Sequence, residues 1–187
     1  SPKWETELRI NYTRFKFILN RLVMFSKKQV LFVNTDTGEI RGSIDLNEDD
    51  LECDVDEEGN LFVLTRIIRG ENRSIVMSIR KIAQTGSILN EVDLPGIFNH
   101  IAVYEKFVVL TAKEKIKILE INNLQAVSEY NADLRSISYS ESSIIINSKD
   151  FAIIFNTSSE DFSSEYRLIN RFNGFSLFKG GLFIKYR

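Results

Sequence analysis

At 187 residues the chain is long enough for one sizeable core, and its net charge of −2, with a pI near 5.6, excludes the strongly basic composition of a dedicated nucleic-acid binder. Fourteen Phe and six Tyr against only two Pro favour strands over disorder. The single cysteine, Cys53, can form no internal disulfide, and no signal-peptide or membrane-length apolar run is present, so an intracellular, reducing compartment is expected. The N-x-[ST] triplets at Asn11, Asn72 and Asn156 are read as chance occurrences in a chain rich in Asn and Ser.

Residues 1–13, with Trp4 and Leu8 among polar neighbours and no clear period, read as a lead-in arm or short helix. From Arg14 the pattern tightens into a first unit, about 14–46. Phe15, Phe17 and Leu19 alternate with polar residues as in a half-buried strand; Leu22–Phe25, Gln29–Val33 and Glu39–Leu46 follow, with a turn at Thr37-Gly38. The second unit, about 51–94, begins with Leu51, Cys53 and Val55 alternating with acidic residues. It turns at 56–60, where Gly59 or Asn60 can take a positive φ, continues as LFVLT, and crosses a loop from Ile67 to Arg73. Strands over Ser74–Ile82 and Ile88–Leu94 flank Thr85-Gly86, which repeats the Thr37-Gly38 turn 48 residues on. A third unit, about 97–130, opens after Pro95-Gly96, and a fourth, about 134–169, carries a Ser- and acid-rich loop at Thr157–Glu165 before its last strand. Two further strands within 172–187 start a fifth, partial unit.

Four-stranded meanders recurring every 40 to 50 residues or so are the sequence pattern of stacked sheets. Sheets covered on both faces lose apolar/polar alternation, and LFVL, FVVL, SIIIN and FAIIF are such continuous runs. The chain from Arg14 to Arg187 therefore resembles a divergent WD-repeat-like β-propeller. It has no Gly-His pair before any unit, and no Trp-Asp closes a third strand; these end at Phe32-Val33-Asn34, Lys81-Ile82-Ala83, Glu120-Ile121-Asn122 and Phe155-Asn156-Thr157. The expected class is all-β, with consecutive antiparallel blades and four and a half units, which implies an incomplete propeller or a fragment of a longer one. A β-sandwich or barrel is the competing architecture, and it leaves the repeated Thr-Gly hairpin unexplained.

Nine carboxylates fall within Asp45–Glu58, the sharpest compositional feature. Asp54, Asp56, Glu58 and Gly59 match the start of a calcium loop, but its twelfth position is Thr65, where a bidentate Glu is needed, so a solvated hairpin is expected and no metal. The acidic surface at Glu48, Asp49 and Asp50 is the candidate site for a basic partner. Arg66, Arg69 and Arg73, with the basic residues up to Lys28 and the interleaved Arg14, Phe15, Lys16 and Phe17, form the candidate nucleic-acid surface. His100 lacks a second His or Cys for zinc and reads as a hydrogen-bonded structural residue, and Cys53 reads as a small buried hydrophobe. No nucleophile, phosphate-loop or dinucleotide pattern occurs, so neither catalysis nor a cofactor is expected.

The resemblance implies a scaffold that binds other proteins within a larger intracellular assembly, with no membrane association. A nucleic-acid-associated factor using the basic loop and the N-terminal basic stretch is the alternative.

Overall fold

The computed structural model describes residues 5, 8, 10–69, 74–131, 134–140, 143–148, 151–158, 161–167, 172–178 and 181–186. Every regular element among them is a strand, and none is a helix long and apolar enough to cross a membrane. Trp4 of the expected arm lies outside the described residues.

The first sheet is the meander β1 (Arg14–Ile18), β2 (Arg21–Phe25), β3 (Gln29–Asn34) and β4 (Ile40–Asp45), in spatial order β1-β2-β3-β4. The second is β5 (Asp50–Val55), β6 (Leu61–Arg69), β7 (Ser74–Ile82) and β8 (Ile88–Leu94). The third is β9 (His100–Tyr104), β10 (Phe107–Thr111), β11 (Lys115–Glu120) and β12 (Ala126–Asn131), and the fourth β13 (Leu134–Ser140), β14 (Ser143–Ser148), β15 (Phe151–Asn156) and β16 (Asp161–Arg167). A two-stranded sheet of β17 (Phe172–Phe178) and β18 (Gly181–Tyr186) follows. Consecutive strands within each sheet pair antiparallel, which is the expected all-β architecture of repeated meanders.

Three local expectations need correction. The loop expected from Ile67 is shorter, because the β-branched Ile67 and Ile68 continue the ladder opposite Val76 and Ile75, and β6 runs on to Arg69. The Ser- and acid-rich segment contributes the start of β16, whose Phe162 pairs with Phe155. The third unit's first strand begins at His100, not Ile97, after a bend in which Gly96 takes φ 103° and buries Phe98.

The repeat is more regular in geometry than in sequence. In all four sheets the third strand shifts register against the fourth near its end, at Phe32/Val33, Lys81/Ile82, Ile118/Leu119 and Ile154/Phe155. Such bulges add local twist and set the chain into the following turn. The Thr-Gly turn accepts glycine because Gly38 sits at φ 72° and bonds back to the Asn34 carbonyl. Leu124 makes the same bond to Glu120 at φ 59°, so the third sheet repeats that turn without glycine, with the Leu124 side chain buried.

Two compact units, Ser1–Glu105 and Lys106–Arg187, divide the chain. In the first, Val23, Phe25, Val30, Phe32 and Ile44 pack against Cys53, Val55, Leu61, Val63 and Ile82, so the first two sheets meet face to face. Each such buried side chain contributes about 1.5–3 kcal/mol of transfer free energy. The opposite face of the first sheet carries Met24, Leu31 and Val33, with Tyr12 and Leu22 packed against them. In the second unit β10 and Ile144–Ile146 are buried, and Phe107 meets Phe155 edge to face at 5.0 Å and 88°. The buried Lys117 is paired with Glu129 at 3.2 Å, and Glu129 also holds Lys115 at 2.7 Å.

In β1 the half-buried reading holds with its faces exchanged. Phe15, Phe17 and Leu19 are 55%, 74% and 84% exposed, while Arg14 and Lys16 turn toward the second sheet. The cause is the unpaired edge of β5, whose carbonyls those two cations cap.

Candidate functional site

The crossing from the first sheet to the second positions the acidic candidates. Leu46 donates its amide to the Lys28 carbonyl at 2.8 Å, which fixes the end of β4 beside the β2–β3 turn. Asn47 and Asp50 then close a turn, with the Asp50 amide on the Asn47 carbonyl at 3.1 Å and the Asn47 amide on Asp50 Oδ2 at 2.8 Å. Glu48 and Asp49 occupy its tip and are exposed. Beside Glu48 opens a cleft of about 590 Å³ between the two sheets, with Phe25, Leu46 and Leu51 in its wall and Lys27, Lys28 and Glu48 among its lining residues.

Most of the acidic run points inward or to a local partner. Asp50 is turned into the protein, where its Oδ1 accepts from Thr65 Oγ1 at 2.7 Å and pairs with Arg80. Thr65, at the twelfth calcium-loop position, is thus held in a buried strand. Asp56 binds the Asn60 amide at 2.7 Å and closes its own hairpin, and Asp45 accepts from Gln29 at 2.9 Å. Among the described residues no three of His, Cys, Asp and Glu gather closely enough to hold a metal ion.

The alternating charges on the first strands of successive sheets form one system. Arg14 donates to the Cys53 carbonyl and lies over the Phe25 ring at 4.1 Å. Lys16 donates to the Val55 carbonyl at 2.8 Å, pairs with Asp54 at 3.0 Å and reaches the Val103 carbonyl at 3.2 Å. One strand further on, Glu52 accepts the Ile101 amide at 3.0 Å and Asp54 the Val103 amide at 2.7 Å. Side chains two residues apart on β1 and on β5 therefore cap backbone groups on the free edge of the next first strand, a cover of the kind that guards an open edge against further strand pairing.

The structure places the remaining candidates as follows. Arg66 and Arg69 are on β6 and exposed; Arg66 donates its amide to the Asp49 carbonyl at 3.0 Å, and Arg69 pairs with Asp93 at 2.7 Å. Arg73 lies outside the described residues. The backbones of Asp49 and Arg66 are thereby brought together, although sequence reasoning kept the two signs of charge apart. His100 is hydrogen-bonded, as expected, but at the surface, through Nδ1 to Glu52 at 3.1 Å with its side chain 72% exposed. Burial pushes the Cys53 thiol up to about 12, against a lesser opposing pull from Arg14, so it is a neutral, unreactive thiol at pH 7. Sequence reasoning missed the edge caps. Their signal is the opposite sign of Arg14/Lys16 and Glu52/Asp54 at the same two-residue spacing on consecutive first strands.

No protein-family model matches the chain. No curated protein sequence matches it either. Solved structures do. The Neurospora crassa Pan2 WD40 domain superposes with a TM-score of 0.57 at 10% identity, over 86% of this chain and 53% of that one. Kluyveromyces marxianus Hsv2 gives 0.57 at 8% identity, over 78% and 48%. The AfRom2 CNH domain gives 0.53 at 9% identity, over 94% and 64%. The chain spans between 48% and 64% of the length of these three structures. With the repeated four-stranded meanders and their recurrent bulge, the similarity identifies the fold as that of WD-repeat-like β-propellers.

Proposed function

We propose that the chain is a non-catalytic protein-interaction module, and that it takes a segment of a partner protein at the crossing between its first two sheets. One observation carries the reading: the buried carboxylates near this crossing are committed to internal bonds, whereas Glu48 stands exposed in the lining of a cleft with an apolar wall, with the exposed Asp49 next to it in the chain. A basic residue of the partner would meet these two acids, and an apolar neighbour would enter against Phe25, Leu46 and Leu51. Membership of a larger intracellular assembly accords with such a surface and with the WD-repeat-like fold.

The mixture of charge favours a protein over a polyanion. Glu48 and Asp49 beside Arg66 would repel phosphates, Arg69 is paired with Asp93, and Arg14 and Lys16 are engaged inside the fold.

The test compares the full chain with an E48A/D49A variant as bait in a cell extract of low ionic strength. Proteins held by the wild type, lost by the variant and released at about 0.5 M salt are the expected result. Identical retention by both baits at both salt concentrations would overturn the reading. Retention of an oligonucleotide by the wild type that an R66A/R69A variant loses would replace it with the nucleic-acid alternative.

A further inference from the structure

The cleft at the crossing has both of its walls in this chain, the ends of β1 and β2 on one side and β5 on the other. Six charged residues line it, and the fold uses three of them. Arg14 donates to the Cys53 carbonyl, Asp50 accepts from Thr65 and pairs with Arg80, and Glu52 accepts the Ile101 amide and bonds His100. The other three, Lys27, Lys28 and Glu48, are exposed, and among the described residues their side chains have no ion pair or hydrogen bond. Asp49, the residue after Glu48, is exposed and uncommitted in the same way. The free charge here is therefore two cations and two anions.

Backbone bonds fix where the two signs stand. Ser26 Oγ accepts the Lys28 and Gln29 amides at 3.2 and 2.9 Å, which holds the turn that carries both lysines. The Lys28 carbonyl accepts the Leu46 amide at 2.8 Å, so the lysine pair stands beside the chain as it leaves β4. Glu48 lies two residues beyond Leu46, a backbone reach of at most about 7 Å. Both signs thus border the same opening. Its apolar anchor comes from a bulge. β5 and β6 shift register between Asp50 and Glu52, and Leu51 is left without an opposite residue in β6. Bulges re-aim side chains, and Leu51 lines the cleft while 41% exposed.

We infer that the segment taken at this cleft is amphoteric: a stretch of partner chain with an acidic residue on one side of its apolar residues and a basic one on the other. The acid meets Lys27 and Lys28, the base meets Glu48 and Asp49, and the apolar residues lie against Leu51. The inference rests on the crossing being a partner site, and it adds the lysines to that site. Charge complementarity selects the occupant. A purely basic segment would set a charge against the lysines, and a purely acidic one against the carboxylates, whereas a segment of both signs leaves neither pair repelled.

The experiment uses the full chain and four short synthetic peptides, acetylated and amidated so that no terminal charge competes. Two carry Glu-Leu-Leu-Lys and Lys-Leu-Leu-Glu, one for each chain direction; the others carry Lys-Leu-Leu-Lys and Glu-Leu-Leu-Glu. With the same uncharged fluorophore on each, anisotropy at low ionic strength should show one mixed peptide binding at least about fivefold more tightly than either single-sign peptide. A K27E/K28E variant should instead favour Lys-Leu-Leu-Lys by about fivefold or more, a gain that no folding defect produces. Wild-type binding of Lys-Leu-Leu-Lys as tight as that of the mixed peptides, or an unchanged order in K27E/K28E, would overturn the inference. If E48A/D49A then lost that dibasic peptide, the crossing would stand as a site for basic segments alone. No binding of any peptide at concentrations up to about 1 mM would also overturn the inference, and the extract comparison with E48A/D49A would then report on the crossing by itself. So would a wild-type chain that sediments as a dimer and a K27E/K28E variant that sediments as a monomer, because the occupant would then be a second copy.

Discussion

Cys53 is a thiol held neutral by its surroundings, and this has a sign that pH can reveal. Its value in the fold is raised from an ordinary 9.0 to about 12 by burial. The unfolded chain releases that proton first, so the stabilisation is complete below pH 9 or so and is lost as pH climbs toward about 12. Chemical denaturation of the wild type at about pH 8 and about pH 11 should show a larger loss of stability than the same pair of measurements on Cys53→Ala. Gly59 is constrained by geometry in place of titration. It sits at φ 91°, and an added Cβ would come within 2.6 Å of Arg21 Nη1, a group that donates to the Glu58 carbonyl at 2.9 Å. Gly59→Ala should therefore cost about 1–3 kcal/mol in a thermal melt, because the left-handed backbone is strained and the guanidinium must leave its carbonyl.

At the level of strands, the caps between neighbouring first strands hold the first unit together where backbone pairing cannot. Asp54 is the hub: it pairs with Lys16 and accepts the Val103 amide at 2.7 Å, so it touches β1 and β9 from β5. Asp54→Ala leaves a buried amide and a half-buried ammonium without their carboxylate. It should lower stability by about 2–4 kcal/mol, read as a fall in the denaturation midpoint, while E48A/D49A at the exposed crossing should change it by less than about 0.5 kcal/mol. The strands themselves were legible, since alternation and turn residues locate all of them to within a few positions apart from β16. Two things were hidden. Which face of β1 is inward depends on the open carbonyls of β5, which no local pattern in Arg14–Ile18 reports. The extent of β6 depends on Ile67 and Ile68 finding Val76 and Ile75 across the hairpin, a pairing that the intervening Gly70 disguised as a loop.

For the chain as a whole, period and strand order were enough to expect a propeller, and the structures that superpose on it bear that out at 8–10% identity. The repeat that loses its Thr-Gly landmark after the second unit persists as a bulge and a left-handed residue, because backbone geometry can be met by Leu124 as well as by glycine. The candidate site was legible only as composition. The sequence displays nine carboxylates alike, and the fold sorts them into those that bind backbone, such as Glu52 and Asp54, and those that face solvent, such as Glu48 and Asp49.

The edge caps also bear on how such a chain comes off the ribosome. The link from Arg14 to Cys53 spans 39 residues and that from Asp54 to Val103 spans 49, so each newly made first strand meets a predecessor that is already complete. Closing a segment of this length costs only about 2 kcal/mol more than closing a hairpin, since the cost grows with the logarithm of loop length. The first unit can therefore be stitched in the order of its synthesis, each sheet serving as the template on which the next one settles.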